Sequence, residues 1–149
     1  MELAQLMTID IEVDPPTGLA TPRGEARLIP IVGGRFDGGP DLSGRVLPGG
    51  ADWQTVRVDG ALEIRAHYLL ETDRGERIEV VSEGVRHAAP DVLARLASGE
   101  LVPADEYYFR THVRTFTGVE RLDHLNNVLA VATGERRPSS VHLVVFSVP

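Results

Sequence analysis

Seven of the chain's fifteen glycines fall within 21 residues, in the block Gly33-Gly-Arg-Phe-Asp-Gly-Gly-Pro-Asp-Leu-Ser-Gly-Arg-Val-Leu-Pro-Gly-Gly-Ala-Asp-Trp53. Glycine concentrates where a backbone needs positive φ, makes a bulge or passes close to another strand. Apolar Phe36, Leu42, Val46 and Leu47 interleave with the glycines, so the block is not a flexible linker. It reads as short strands bent sharply, ending on the chain's single Trp. A Walker loop would need Gly-Lys-Ser/Thr opening a helix, and here Gly39-Pro40 leads into a strand instead. A dinucleotide fingerprint would need a strand–turn–helix context, which is also missing. The block is therefore a corner-building device rather than a phosphate loop.

The flanking sequence alternates with period two, the mark of half-buried strands. Ile9, Ile11 and Val13 alternate with Thr8, Asp10 and Glu12, and Pro15-Pro16-Thr-Gly18 ends that run. A second strand covers Leu28 to Val32, where Pro30 implies an edge or a bulge. Trp53 to Val58 leads to Asp59-Gly60, a type I′ hairpin signal, and on to Ala61–Glu71. In that strand Leu62, Ile64, Ala66, Tyr68 and Leu70 share one face, while Arg65 and His67 lie on the other. Asp73-Arg-Gly75 turns the chain into Arg77–Val85, and further strands are predicted at Glu106–Thr117, Asn127–Thr133 and Val141–Val148. One helix is predicted, Pro90–Ser98, with Pro90 in its first turn, Asp91 at its positive end and Gly99 at its stop. The expected fold is mainly β: a closed antiparallel β-barrel of about eight to nine strands with one short helix. Closure removes sheet edges, and glycine bends turn barrel corners. Residues 1–149 are expected to form a single domain.

Composition excludes several chemistries. All fifteen basic residues are Arg and there is no Lys, so a Schiff-base lysine, a lysine base and a Walker lysine are ruled out in this chain. There is no Cys, which removes disulfides, thiolate nucleophiles and thiolate metal ligands. The five histidines show neither H-x-H nor H-E-x-x-H spacing, so no metal site and no cofactor is signalled. A formal net charge of −7 argues against nucleic acid as a partner. Arg136-Arg137 before Pro138 reads as a solvated turn pair. No apolar run approaches a bilayer span and no signal-peptide pattern opens the chain. The expectation is a soluble, cytoplasmic protein without a membrane partner.

The ordered motifs Gly33-Gly-x-Phe-x-Gly, Leu42-x-Gly-x-Val-Leu-Pro-Gly-Gly-Ala-Asp-Trp53, Tyr68-x-Leu-Glu-Thr-Asp-x-Gly75, Gly84-x-Arg86, Tyr107-Tyr-Phe-Arg-Thr111 and Leu125-Asn126 resemble the family catalogued as domain of unknown function 3237. The resemblance runs from about Thr21 to the C-terminus. It implies a compact barrel of the allene-oxide-cyclase type and self-association, and it implies no reaction. Asp52, Trp53, Arg86, Tyr108 and Arg110 match the family pattern, whereas Arg65, His67 and His124 stand where its members tend to carry other residues.

The strongest chemical constellation is spread over strands. Alternation puts Tyr108, Arg110, His112 and Arg114 on one strand face, and Arg65 with His67 on another. Such a face either meets solvent or lines a polar cavity. In a cavity, His67, His112 or His124 would move protons near neutral pH, with Asp52 acting as base or orienting a histidine. Arg110 and Arg86 would bind a carboxylate or steady an enolate-like oxyanion, Arg65 would contact substrate, and Trp53 with Tyr108 would form an aromatic wall. The leading expectation is a small-molecule-binding barrel that works as a cofactor-independent cyclase, isomerase or lyase on a small organic, anionic or polyketide-like substrate. The alternatives are a non-catalytic, lipocalin-like ligand-binding barrel and a structural subunit of a homo-oligomer.

Overall fold

The computed structural model describes all residues, Met1–Pro149. Ten strands form one antiparallel sheet: β1 Ala4–Val13, β2 Thr17–Thr21, β3 Gly24–Asp37, β4 Ser43–Val46, β5 Ala51–Val56, β6 Leu62–Thr72, β7 Arg77–His87, β8 Tyr108–Phe116, β9 Leu129–Arg136 and β10 Ser140–Val148. β1 pairs with β10 on one side and β3 on the other, which closes the sheet on itself. Two of the strands are extensions rather than further staves. β2 continues the line of β1 along β3, with Val13 opposite Ile31 and Thr17 opposite Leu28. β4 and β5 share the place between β3 and β6, with Val46 opposite Leu70 and Ala51 opposite His67. The result is a closed eight-stave barrel with two extra strands, mainly β as its sequence predicts.

The glycine block builds one wall and one rim of this barrel. It comprises the second half of β3, the Gly38–Leu42 hairpin, β4 and the Pro48-Gly49-Gly50 break. At Gly44 a Cβ would stand 2.0 Å from the carbonyl oxygen of Glu71, so only a residue without a side chain lets β4 lie this close to β6. Pro30 sits where its sequence position implied. Its carbonyl accepts from the Asp14 N–H at 3.0 Å, and the β1–β3 register shifts between Glu12 and Val13, so the missing Pro N–H falls at the break between β1 and β2.

The turn at Asp59-Gly60 departs from the expected type I′ geometry. Gly60 has φ +85°, but no non-glycine residue has positive φ, so Asp59 cannot occupy the first central position of that turn. Instead Gly60 N–H donates to Arg57 at 3.0 Å and Arg57 N–H to Ala61 at 2.9 Å, a three-residue loop closed by a glycine bulge. Asp59 caps it by accepting from Ala61 N–H at 3.1 Å.

Helical segments follow β7 and β8, which leave the barrel at opposite ends. The predicted helix is present as α1, Pro90–Ala97, and it buries Val92 and Leu96. A 3-10 segment at Glu120–Asn127, which strand alternation did not foretell, inserts Leu122 and Leu125 at the opposite end. Asn126 pins this segment to the end of β8: its side-chain oxygen accepts from Thr117 N–H at 2.7 Å and its amide donates to Thr117 O at 2.9 Å. Arg121 fastens it further, donating to Glu76 at 3.0 Å and to the Asp41 carbonyl at 2.7 Å. Within the barrel, Phe36, Leu70, Ile78, Val80, Val113 and Val145 are buried to 2% exposure or less. No helix is long and apolar enough to cross a membrane.

Candidate functional site

The core does not fill the barrel completely. Towards the β2/β5 end lies a cavity of about 50 Å³ lined by sixteen residues, ten of them hydrophobic. A buried water needs roughly 10–15 Å³ on the same measure, so this space holds several waters or a small organic group. Ile11, Ile29, Ile31, Phe109 and Leu143 form much of its wall, and Asp52, Gln54, Tyr68, Ser82, Arg86, Thr111 and Arg136 supply its polar groups.

Strand parity puts them there. In β5, Asp52 and Gln54 face inward, opposite Ala66 and Ile64 of β6, and Ala66 in turn faces Ser82 of β7. Thr111 and Phe109 belong to the buried face of β8, where Phe109 lies opposite Arg86. Arg136 ends β9 on the face that carries Ala130, Ala132 and Gly134, opposite Val141.

The Asp52 carboxyl accepts a 2.6 Å hydrogen bond from the Gln54 side chain and a 3.2 Å bond from the Arg65 backbone N–H. Burial pushes it above the ordinary aspartate range, against the opposing pull of Gln54, the Arg65 N–H and Arg86. Burial, reinforced by the Asp52 charge, also pushes the Tyr68 phenol up. The Tyr68 hydroxyl has no hydrogen-bond partner, and neither do Arg86 Nε and the Thr111 hydroxyl. Unpaired buried polar atoms are uncommon, and each costs free energy until something meets it. Burial, aided by the neighbouring Arg136 charge, brings the Arg86 guanidinium down to about 10, and burial lowers Arg136 as well. Both remain charged at neutral pH. Inside an acidic protein, the cavity therefore holds two cations and one carboxyl.

Asp52 and Arg86 are the candidate residues that reach this cavity. The others lie elsewhere, and parity is the reason. Trp53 follows Asp52 and so points outward, 44% exposed. Arg65 and His67 occupy the exposed face of β6, where His67 Nε2 meets Glu79 at 2.7 Å. Tyr108, Arg110 and His112 occupy the exposed face of β8, with the Arg110 guanidinium 5.3 Å from the Tyr108 ring centroid. His124 is exposed on the Glu120–Asn127 segment. The expected meeting of Arg110 and a histidine with Asp52 does not occur: this polar face is the solvent face. No three His, Asp or Glu side chains are grouped so that they could hold a metal ion.

Five cavity residues escaped sequence reasoning. Tyr68 shares its face with Leu62, Ile64 and Leu70 and so reads as core; Gln54, Ser82 and Thr111 carry no signal of their own. Arg136 looked like half of a solvated turn pair, yet only Arg137 behaves so, reaching Asp10 at 3.4 Å and Glu135 at 3.6 Å. The available signal was the alternation Ala130, Ala132, Gly134, Arg136, which carries the inward face one residue further than expected.

The chain and its barrel match known proteins along their whole length. The family model described as "Protein of unknown function (DUF3237)" matches residues 1–148. The chain belongs to the DUF3237 family. The match includes the first twenty residues, which the ordered motifs did not reach. A UPF0311 protein of Clostridium acetobutylicum is 33% identical over 150 residues, covering 99% of this chain and 94% of that one. A conserved protein of unknown function from Rhodopseudomonas palustris has a crystal structure similar at a TM-score of 0.94, with 34% identity and coverage of 99% and 97% of the two chains. The crystal structure of a protein described as an enzyme from Penicillium herquei shares the fold at a TM-score of 0.69 and 23% identity, over 97% of this chain and 93% of that one.

Proposed function

We propose that this DUF3237 protein is a cofactor-independent acid–base enzyme, a cyclase, isomerase or lyase, acting on a small organic molecule held inside the barrel. The observation that carries this reading is Asp52: a carboxyl facing an apolar-walled cavity, raised by burial and positioned by Gln54, beside an unpartnered Tyr68 hydroxyl. A general base works best when its pKa is lifted towards the working pH, and burial supplies that lift. Ionised Asp52 takes a proton from a C–H next to a carbonyl; the C–H electron pair forms the enolate C=C bond and the carbonyl π pair moves onto the oxygen. The Tyr68 hydroxyl donates a hydrogen bond to that oxygen as its charge develops. Return of the proton to another atom isomerises the molecule. Attack by the enolate carbon on a second carbonyl closes a ring, and the new alkoxide takes the proton back from Asp52. Expulsion of a hydroxyl from the β carbon is a lyase step, and the departing group leaves as water with that proton. Each outcome leaves Asp52 ready for another turn.

The test is proton exchange in D2O followed by NMR, with 4-phenyl-2-butanone and 2-oxo-4-phenylbutanoate as probes. Exchange next to the carbonyl should exceed the protein-free rate, disappear in Asp52→Asn, and persist in Arg110→Gln and His112→Gln, whose side chains face solvent. Exchange no faster than without protein overturns the reading and leaves a non-catalytic binding barrel; accelerated exchange undiminished in Asp52→Asn overturns the assignment of Asp52 as the base.

A further inference from the structure

Two arginines enter the cavity, and neither has a carboxylate within 4 Å. Eight of the fifteen arginines pair with Asp or Glu; of the seven that appear in no ion pair, Arg86 and Arg136 are the two that line the cavity. Arg86 makes no side-chain hydrogen bond and its Nε is buried. Its charge and that of Arg136 act unfavourably on each other, so the fold holds two like charges together in a partly desolvated place. Breaking or omitting the partner of a buried charge is among the costlier things a fold can do.

Arg136 is nevertheless held firmly. Its backbone N–H donates to the Tyr107 hydroxyl at 2.8 Å, and its Nη1 donates to the carbonyl oxygens of Ser140, at 3.2 Å, and of Arg137. Those bonds are all to neutral acceptors. They fix the guanidinium without neutralising it. Asp52 attracts Arg86 from a distance but is not a contact counter-ion: it stands in no ion pair with either arginine, and its oxygens accept from Gln54 and the Arg65 N–H.

We propose that Arg86 and Arg136 form the seat for a carboxylate group of the ligand, whose remaining, apolar part lies against Ile11, Ile29, Ile31 and Phe109. This rests on the reading of the cavity as a substrate site and names the class of molecule it takes: a small organic acid with an apolar body. A carboxylate satisfies the geometry of a guanidinium with two parallel hydrogen bonds and supplies the missing negative charge. A neutral ligand would leave both cations unmatched, and an amine would add a third. The seat also serves the chemistry, because cations near a carbonyl favour the build-up of negative charge when a neighbouring proton leaves.

The experiment is calorimetric titration of the full chain with butanoate, hexanoate and 3-phenylpropanoate, each beside its amide and the matching amine. Carboxylates should bind at least tenfold more tightly than their amides, and amines should not bind. Arg86→Gln and Arg136→Gln should each weaken carboxylate binding by about tenfold or more, a difference of about 1.4 kcal/mol, and leave amide binding unchanged. Arg136→Gln keeps the backbone bond to Tyr107, so it guards against a folding failure in Arg86→Gln; thermal unfolding of both verifies this. Equal affinity for acid and amide, no measurable binding of any acid, or full affinity in both variants overturns the proposal. Carboxylate binding without proton exchange removes the catalytic reading and leaves the seat standing. Exchange without carboxylate preference does the reverse.

Discussion

Tyr68 and Tyr107 are both buried tyrosines, 2% and 7% exposed, and they should respond in opposite directions to loss of the hydroxyl. The Tyr107 hydroxyl accepts the Arg136 backbone N–H at 2.8 Å, whereas the Tyr68 hydroxyl meets no partner. Leaving a buried polar group unsatisfied costs about 1–3 kcal/mol. Tyr68→Phe deletes such a group while keeping the ring among its neighbours, so the unfolding free energy should rise by about 1 kcal/mol after a small loss to the void left by the oxygen. Tyr107→Phe creates an orphan on Arg136 and should lower it by about 1–2 kcal/mol. For a chain of this size 1 kcal/mol moves the melting temperature by roughly 2–4 °C. Urea and thermal unfolding of the two variants beside the parent, with unchanged urea slope, measure both values. The signs matter more than the sizes. A Tyr68→Phe variant that loses 1 kcal/mol or more would mean that the hydroxyl is paired, and the claim that it waits for a ligand would fall.

Asp52→Asn should change stability in a pH-dependent way. Burial raises the folded-state pKa above the reference value of 3.8, so the native state holds the proton more tightly than the unfolded chain. Ionisation of Asp52 therefore removes stability as the pH rises from about the unfolded value through the folded one, at about 1.4 kcal/mol for each unit between them. Asn does not titrate and Gln54 can turn its amide to meet it, so the variant should gain on the parent between pH 3 and pH 7 in paired urea titrations; a gap that is flat or narrows with pH contradicts the burial argument. Gly44→Ala should cost about 3 kcal/mol, because its Cβ would stand 2.0 Å from Glu71 O, while Gly118→Ala, with open space around it, should stay within about 0.5 kcal/mol of the parent in the same unfolding assay.

Local sequence carried most of the architecture. The alternation in Leu62–Leu70 states which residues travel together, and the structure keeps that grouping without exception. Proline and glycine at Pro90 and Gly99 bound the helix, and the glycine block marks where the barrel wall bends. The 3-10 segment at Glu120–Asn127 was not legible, because its stability lies in bonds to residues remote in sequence, Glu76 and Asp41, rather than in its own periodicity. The Asp59-Gly60 turn shows the limit of a dipeptide signal: the same two residues suit a two-residue turn or a three-residue loop, and pairing of the flanking strands decides between them.

The candidate site divides along the same line. Period-two alternation assigns Asp52 and Trp53 to opposite faces, and separates Arg65 and His67 from Ala66 and Tyr68. It is symmetric, however, and does not say which face closure turns inward. On β8 both faces carry polar groups, Tyr108, Arg110 and His112 against Thr111 and Thr115, so composition did not break the tie. Closure of β1 onto β3 broke it by turning the Phe109–Thr115 face towards the core. Closure also brought Arg136, 84 positions beyond Asp52 in the chain, into the same cavity as Asp52 and Arg86. Sequence thus determined the strands apart from β2, which it read as a stop at Pro15–Gly18, together with their partners in parity and the chemistries the chain lacks, because these depend on neighbours two to four residues away. Tertiary structure alone decided which polar groups share a cavity and which meet water, because that depends on register around a closed ring.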